Sequence, residues 1–203
     1  MEKLVSELIK TGYLKTPAVI SAFRKIDRKD FVPETIKGFA YANRPLDIGE
    51  DQTISQPLTV AFMLELLELS PGLKVLDVGT GSGWQAALIA EIVGQGGLVV
   101  SIERIKKLSD QASRNLAKYE MSNLKLVVGD GSQGYPNDAP YDRVVAATAS
   151  DAVSSAWKEQ LRVGGIIVAP VGTSLVKIIR VSDDKFEVEE YPGFVFVPLV
   201  IGK

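Results

Sequence analysis

The apolar positions of this 203-residue chain fall into two alternating patterns from residue 74 onward. Short apolar runs are typical of buried strands, and the longer stretches between them have the period of helices. Strands are predicted at residues 74–78, 98–102, 124–128, 141–148 and 165–171, with helices at 83–93, 105–119 and 151–161. This alternation predicts an α/β fold with a doubly wound, mostly parallel sheet. Such a sheet binds ligands at the carboxyl ends of its strands.

The segments on either side of this alternating region have other patterns. Residues 2–10 place four apolar side chains on one helical face, and Pro17 begins a second helix, so a small helical N-terminal cap is predicted. A further helix at 58–69 leads into the first strand. Near the other end, residues 174–182 and 194–202 are predicted to add antiparallel edge strands.

Residues 40–57 have no clear period and are predicted to form a loop. An ordered loop of this length inside a compact domain usually has a function. Its last part is the polar run QTISQ, which ends at Pro57. One interpretation is helix capping by Thr53 or Ser55, with Pro57 in the first turn. The other is ligand binding, because the amides of a helix N-terminus bind carboxylates well; the two are compatible.

Composition and charge narrow the function classes. The formal net charge is -2, and the basic residues Arg104, Lys106 and Lys107 are interpreted as a solvated helix start, so a nucleic-acid groove is not expected. The chain contains no cysteine and no histidine, which excludes thiolate chemistry and favours a reaction that needs no general base. No stretch approaches the roughly 18 apolar residues of a membrane span. Residues 1–12 lack the apolar core of a signal peptide, so a cytoplasmic protein is expected.

The segment KVLDVGTGSGWQAA, residues 74–87, carries the most specific motif. An apolar strand with an acid, Asp77, runs into Gly79, Gly81 and Gly83, and a helix-favouring run follows. Glycines there let the main chain pass close to a ligand. The spacing is not the G-x-G-x-x-G of dinucleotide binders. Such a turn can also serve geometry alone, so the motif needs support from elsewhere in the chain.

That support comes from the ends of the next two strands. The run LVVSIE ends in Glu103, a little over about 20 residues further on, where an acid reads the ribose of a nucleoside. The run LKLVVGDG ends in Asp130 and Gly131. Together these features resemble the motifs of S-adenosylmethionine (SAM) methyltransferases, in which the third strand end holds the adenine. The resemblance implies a Rossmann-like methyltransferase fold, SAM as cofactor and S-adenosylhomocysteine as its product.

Beyond these motifs, the chain closely resembles the protein-L-isoaspartate O-methyltransferase family. The matching segments run in collinear order along nearly the whole chain: FVP at 31–33, AY at 40–41, RPL at 44–46, IG at 48–49, QTISQP at 52–57, GTGSGWQAA at 79–87, SIERI at 101–105, GDG at 129–131, APYD at 139–142, QLRVGG at 160–165, APVG at 169–172 and FVPL at 196–199. The QTISQP and FVPL segments are far more specific to the family than the SAM motifs.

The resemblance implies a reaction and a set of site residues. The reaction is methyl transfer from SAM to the free carboxylate of L-isoaspartyl or D-aspartyl residues in damaged proteins and peptides, whose ester then closes to a succinimide. The substrate carboxylate is already ionised and the sulfonium is cationic, so orientation and desolvation are expected to suffice. By residue-level comparison, the implied catalytic residue is Ser55, with a hydroxyl that holds the substrate carboxylate. The remaining implied residues bind the substrate (Thr53, Phe196, Val197 and Leu199) or the cofactor (Ile48, Gly49, Asp77, Gly79, Thr80, Gly81, Gly83, Glu103, Asp130 and Gly131).

The same resemblance implies one methyltransferase domain over residues 1–203. Residues 1–57 form its helical cap and substrate loop, and residues 58–203 form the cofactor-binding core with the C-terminal substrate strands. Isoaspartyl proteins and peptides are the expected partners, the protein is expected to be a monomer, and no nucleic acid, membrane or metal is expected.

Three positions depart from the family pattern. Asn43 stands where the family usually has Asp, and Asp47 stands where Pro is common. Both differences are expected to alter the stability of the loop alone. Asp51 replaces a Gly or another uncharged residue next to an anionic substrate. We expect its carboxylate to turn outward to solvent, pairing with Arg44.

Three alternatives stay open from the sequence. A related enzyme could esterify a normal aspartate in a dedicated peptide substrate. A SAM methyltransferase for RNA or a small molecule could share only the nucleoside site, although the segment AATASDA at 146–152 lacks the N/D-P-P-Y/F-type motif that such enzymes often carry. A SAM-binding protein without catalysis is kept open by Asp51.

Overall fold

The computed structural model describes residues 1–199, in which helices cover both faces of one seven-stranded sheet. The helices are α1 (Glu2–Lys10), α2 (Pro17–Lys25), α3 (Pro57–Leu66), α4 (Trp84–Val93), α5 (Lys106–Leu116) and α6 (Ser155–Glu159). The strands are β1 (Leu46–Gly49), β2 (Gln52–Ile54), β3 (Lys74–Val78), β4 (Leu98–Glu103), β5 (Leu124–Val128), β6 (Tyr141–Ala146), β7 (Leu161–Val171), β8 (Ser174–Arg180) and β9 (Phe186–Pro192).

The strand order of the large sheet is β5-β4-β3-β6-β7-β8-β9. The first five strands in this order are parallel, and β8 and β9 add an antiparallel edge. The chain leaves β3 towards β4 on one side and later returns to β6 on the other, which opens a crevice at the carboxyl end of β3. The predicted doubly wound, mostly parallel fold with antiparallel edge strands is confirmed.

Alternate residues of the parallel strands enter two separate hydrophobic clusters. Val75 and Val99 pack with α1 to α5 on one face, whereas Leu76 and Val100 pack with Trp157 of α6 on the other. Both faces are therefore buried, which explains the continuous apolar runs in the sequence.

The predicted N-terminal helical cap consists of α1 and α2. Its core residues are fully or almost fully buried, and Phe23 of α2 packs edge-to-face on Trp84 with ring centroids 5.4 Å apart. Because Trp84 is the first residue of α4, the cap rests directly behind the glycine turn. No helix within residues 1–199 has the length and apolar character needed to cross a membrane.

Two predictions of local structure were wrong. The predicted loop at 40–57 contains the hairpin of β1 and β2, whose strands of four and three residues are too short to show a period. The last described strand is β9, at 186–192, and the described part of the predicted strand at 194–202 is not a strand. Pro192 and Gly193, whose φ is +95°, end the ladder, and the described apolar residues beyond them line cavities and pair through one isolated bridge, from Pro198 to Ala149. The remainder of that prediction, 200–202, lies outside the described residues.

Candidate active site

A cavity opens at the carboxyl ends of the central strands, where the sheet topology places ligands. It is lined by residues that follow β3 (Gly79 and Gly81), end β4 or follow it (Glu103, Arg104 and Ile105), follow β5 (Gly131) and follow β6 (Ala147 and Thr148), together with Gln52 and Thr53 of the hairpin and Val197 to Leu199. We call this the first cavity. The sequence-predicted cofactor residues therefore converge on one place, although not all of them line it.

Glycine is favoured for different physical reasons at the three glycine positions of the turn. Gly79 and Gly81 have φ of +90° and +55° and line the first cavity. A Cβ atom on Gly79 would lie 3.2 Å from Cγ2 of Thr148, so a side chain there would have to displace Thr148 slightly and would be strained by the positive φ. Gly83, with φ of +97°, lies away from that cavity; a Cβ atom on it would press on Leu116 of α5 at 3.2 Å. The third glycine therefore serves helix packing.

Glu103 fastens the glycine turn to the end of β4. Its Oε2 accepts a hydrogen bond from the Gly81 amide at 2.8 Å, and its Oε1 accepts one from the Ile105 amide at 2.9 Å. Only 8% of the residue is exposed. A carboxylate has about four acceptor positions, so two stay free to accept from hydroxyl groups of a ligand in the first cavity.

Asp77 and Thr80 lie beneath the turn and do not line the first cavity. Asp77 is fully buried and accepts hydrogen bonds from Gln85 Nε2 at 2.8 Å and from Ser101 Oγ at 2.6 Å. Burial, with a smaller contribution from the charge of Glu103, raises the pKa of Asp77 to about 6, against the effect of those hydrogen bonds. The Thr80 hydroxyl is 2.6 Å from Ser101 Oγ. This network supports the turn from below.

Gly131 lines the first cavity, and its neighbour Asp130 shapes the turn that carries it. Asp130 Oδ1 accepts a hydrogen bond from the Ser132 amide at 2.9 Å, and its Oδ2 lies 3.9 Å from Arg104 Nη1. A Cβ atom on Gly131 would lie 2.6 Å from Val78 Cγ1, which requires glycine here. The interpretation of Arg104 as part of a merely solvated helix start was wrong, because Arg104 lines the cavity.

A second cavity adjoins the first and shares four of its lining residues, namely Thr53, Ala147, Val197 and Pro198. The other residues that line the second cavity are Tyr13, Pro45, Ser55, Gln56, Leu58, Thr59 and Pro192 to Phe196. None of these side chains is charged. A third cavity behind the glycine turn joins Ser55 to Gly79, Gly81 and Ser82. Ser55 lines the second and third cavities, and Thr53 lines all three.

The other predicted site residues surround these cavities. Phe196 lines the second cavity, Leu199 the first, and Val197 both. Ile48 is buried, with its Cδ1 atom 3.5 Å from the position of a Cβ on Gly81, so it packs on the glycine turn from the hairpin side. Gly49 lies beside it and does not line any of the three cavities.

The polar run before α3 does not cap that helix. Gln56 occupies the N-cap position without a side-chain cap, and Pro57 begins the helix. The cap comes from Asn43, whose Oδ1 accepts a hydrogen bond from the Leu58 amide at 3.0 Å. The Ser55 hydroxyl therefore has no role in capping α3. Asn43, one of the three residues that depart from the family pattern, has that structural role instead.

Asp51 and Glu50 occupy the two central positions of the β1–β2 turn, each with φ of +56°. Asp51 is exposed and lines none of the three cavities, as expected. The expected pairing with Arg44 was wrong: the Arg44 guanidinium lies over the Phe39 ring, 5.4 Å from its centroid. Asp47, the remaining departure, accepts a hydrogen bond from the Gly49 amide at 2.6 Å.

Sequence reasoning missed Ala147 and Thr148, which follow β6 and line the first cavity. Small residues directly after a fourth parallel strand are the only signal for them. The Thr148 Oγ1 atom is buried and has no hydrogen-bond partner within the described residues. A buried hydroxyl without a partner is unfavourable, and because this atom has almost no accessible surface, a ligand would reach it only after the Thr148 side chain rotates. Within residues 1–199, no group of three or more acidic side chains is arranged to hold a metal ion.

Comparison with known proteins agrees with this geometry. A family model described as Protein-L-isoaspartate(D-aspartate) O-methyltransferase matches residues 1–203. A protein-L-isoaspartate O-methyltransferase from Ignicoccus hospitalis is 44% identical over 203 residues, which are 98% of this chain and 96% of that protein. One from Methanothermobacter thermautotrophicus is 41% identical over 203 residues, covering 98% of this chain and 94% of that protein.

A solved structure of a protein-L-isoaspartate O-methyltransferase superimposes with a TM-score of 0.87 at 30% identity. The match covers 97% of this chain and 65% of that longer chain. Sequence and structure thus agree over nearly the full described length, and this chain belongs to the protein-L-isoaspartate(D-aspartate) O-methyltransferase family.

Proposed function

We propose that the protein transfers a methyl group from SAM to the free carboxylate of L-isoaspartyl and D-aspartyl residues in damaged proteins and peptides. The observation that carries this proposal is the junction of the two cavities. The first cavity, which is lined by Glu103, meets the uncharged second cavity at Thr53. Ser55, with its hydroxyl group, lies beside this junction. Methyl transfer needs such a junction, because donor and acceptor must meet end to end.

The residues of the first cavity fit SAM. Gly79 and Gly131 bring main chain up to the cavity, at positions where a side chain would be strained or would collide, and Glu103 keeps free acceptor positions. When bound, SAM supplies a methyl group made electrophilic by its sulfonium. Glu103 would hold the ribose hydroxyls, and Gly131 beside Asp130 would hold the adenine. The turn from Gly79 to Gly81 would hold the methionine part.

The protein has no proton to move in the transfer itself. The acceptor carboxylate is ionised at neutral pH, and its charge is neutralised as it reacts with a cation. The uncharged walls of the second cavity strip water from the carboxylate, which makes it more nucleophilic. Ser55 can donate a hydrogen bond to one carboxylate oxygen and so leave the other directed at the methyl group. This division of roles fits a chain without histidine.

The experiment is methyl transfer from radiolabelled SAM to two peptides that differ only in the linkage of one residue, isoaspartyl or normal aspartyl. We expect transfer to the isoaspartyl peptide alone. Preference for the normal peptide would instead support the enzyme with a dedicated aspartyl substrate. Absence of transfer to both peptides, with SAM still bound, would contradict the proposal.

Ser55→Ala tests the role of the hydroxyl. We expect kcat/KM for the isoaspartyl peptide to fall about tenfold or more, with some activity left because main-chain amides share the orientation. The melting temperature should stay within about 1 °C, since Ser55 does not cap α3. Asn43→Ala is the matched control, because it removes the observed cap. It should lower stability by about 1 kcal/mol and leave kcat/KM per folded molecule nearly unchanged.

We also propose that the chain acts as one domain and as a monomer, on isoaspartyl proteins and peptides. Its single large sheet, with cap and edge strands packed on the same two clusters, supports the first point. The near-neutral net charge of -2 supports peptide substrates over nucleic acid. Light scattering tests the monomer, and fractionation of source cells tests the predicted cytoplasmic location.

A further inference from the structure

Arg28 is a fully buried cation next to the site, with no role in the methyl transfer described so far. It begins a short 3-10 helix, Arg28–Phe31, directly after the helical cap. Burial lowers the pKa of Arg28 to about 10, and no acidic group of residues 1–199 offsets this. A buried charge without a counterion is destabilising, so the role of Arg28 depends on the groups that its hydrogen bonds hold in place.

Those hydrogen bonds go to main-chain carbonyls around the hairpin. Nη1 donates to Ala40 O at 2.6 Å and to Ala42 O at 3.4 Å. Nη2 donates to Arg44 O and to Ser55 O, each at 3.1 Å. Arg44 lies two residues before β1, and Ser55 follows β2 directly. One nitrogen of Arg28 therefore joins both ends of the β1–β2 hairpin.

The guanidinium also lies over the ring of Trp84, the first residue of α4. Its Cζ atom lies 5.4 Å from the centroid of the Trp84 ring, and Trp84 begins α4 immediately after Gly83. The Trp84 indole in turn donates to Ile26 O at 3.4 Å. Arg28 is thus placed between the hairpin, which contributes Thr53 to all three cavities, and the helix that carries the glycine turn.

We propose that Arg28 is a positioning residue for the methyl transfer: its planar fork clamps both ends of the hairpin and so sets Thr53 and Ser55 at the junction of the two cavities. The inference rests on the proposed function and adds a residue that touches neither ligand. Geometry is the reason for arginine here, since its two terminal nitrogens hold four carbonyls at once, whereas lysine carries the same charge on a single nitrogen and cannot hold both pairs.

Arg28→Lys is the main test, with Arg28→Met beside it. We expect kcat for the isoaspartyl peptide to fall about tenfold or more in Arg28→Lys, because small displacements of positioning groups have large kinetic effects. Peptide KM and the Kd for S-adenosylhomocysteine should change by no more than about threefold. Amide hydrogen exchange of residues 46–54 should speed up about tenfold, since the clamp no longer holds the hairpin.

Arg143→Met is the matched control. Arg143 is also a buried arginine that donates to main-chain carbonyls, Leu67 O at 2.5 Å and Glu68 O at 3.3 Å, at the far end of α3. It should lose stability and keep kcat within about twofold. If Arg28→Met does not fold, Arg28→Lys still decides the question.

Three results would overturn the inference. The first is a kcat of Arg28→Lys within about twofold of the wild type. The second is an equal loss of kcat in Arg143→Met, which would mean general destabilisation. The third is unchanged exchange of residues 46–54 in Arg28→Lys. A wild-type protein that does not methylate the isoaspartyl peptide would refute the proposed function alone, and hydrogen exchange would then decide whether Arg28 clamps the hairpin.

Discussion

Replacing Glu103 by alanine should weaken cofactor binding and destabilise the protein through two separate losses. The first loss is structural, because the Gly81 and Ile105 amides lose their acceptors at 2.8 Å and 2.9 Å. An unpaired buried donor costs about 1–3 kcal/mol. Water entering the vacated space offsets part of this, so we expect about 2–3 kcal/mol in all, or roughly 4–12 °C in Tm for a chain of this size.

The second loss concerns the ligand. The two free acceptor positions of the carboxylate are the ones available to ribose hydroxyls, and hydrogen bonds to a charged group contribute about 1.5–3 kcal/mol. Because the turn can rearrange in the variant, part of this loss can be recovered. We therefore expect SAM and S-adenosylhomocysteine to bind more weakly by about 1–3 kcal/mol. That corresponds to roughly 5- to 150-fold in Kd.

Calorimetry with S-adenosylhomocysteine separates the two losses when it is paired with Asp142→Ala. Asp142 Oδ2 accepts the Lys74 amide at 2.6 Å, so it fastens the opposite end of β3 with the same kind of bond. The control should lose stability and keep its ligand affinity. Unchanged affinity in Glu103→Ala, with a lowered Tm, would refute the ribose role and leave Glu103 as a support of the turn.

Two further predictions concern the other carboxylates of the site. Asp77 has its pKa raised to about 6 by burial, so the native state binds that proton more tightly than the unfolded chain. This stabilisation is complete below about pH 4 and is lost as pH rises to about 6. Urea unfolding should show the wild type losing about 1–3 kcal/mol relative to Asp77→Asn across that interval; a constant difference would contradict it. Asp51→Gly should raise stability by about 0.5–1 kcal/mol by relieving the left-handed backbone, and should leave peptide KM within about twofold because the side chain lines no cavity. A lower KM that salt abolishes would mean that Asp51 faces the substrate.

The parallel core was predictable because its strands are buried on both faces. Residues such as Val75 and Leu76 enter different clusters, so the strand reads as one apolar run with glycine at its end. The β1–β2 hairpin escaped prediction for the opposite reason. Its strands are short, and its turn uses Glu50 and Asp51 where glycine or asparagine would have signalled positive φ.

The sequence predicted which strand ends meet at the cavity, but it could not distinguish the residues that line the cavity from those that support the turn beneath it. The sequence places Asp77 near the end of one strand and Glu103 at the end of the next, and only Glu103 lines the first cavity. Both acids are buried, but the carboxylate of Asp77 is bound beneath the turn by Gln85 and Ser101, a tertiary contact that no spacing shows. The clamp by Arg28 depends on carbonyls up to 27 residues away and has no motif at all.

With the cofactor in the first cavity and the peptide in the second, as proposed, the four residues that these cavities share, Thr53, Ala147, Val197 and Pro198, would make the two binding equilibria interdependent. A cofactor that fixes these side chains removes conformational freedom that the peptide would otherwise have to restrict on binding. Thermodynamic reciprocity then requires the peptide to tighten cofactor binding by the same factor. The wall contains segment 197–199, which is held to Ala149 by hydrogen bonds of 2.8 Å and 2.7 Å, directly beside Thr148, so a ligand that displaces this segment would also strain the end of β6.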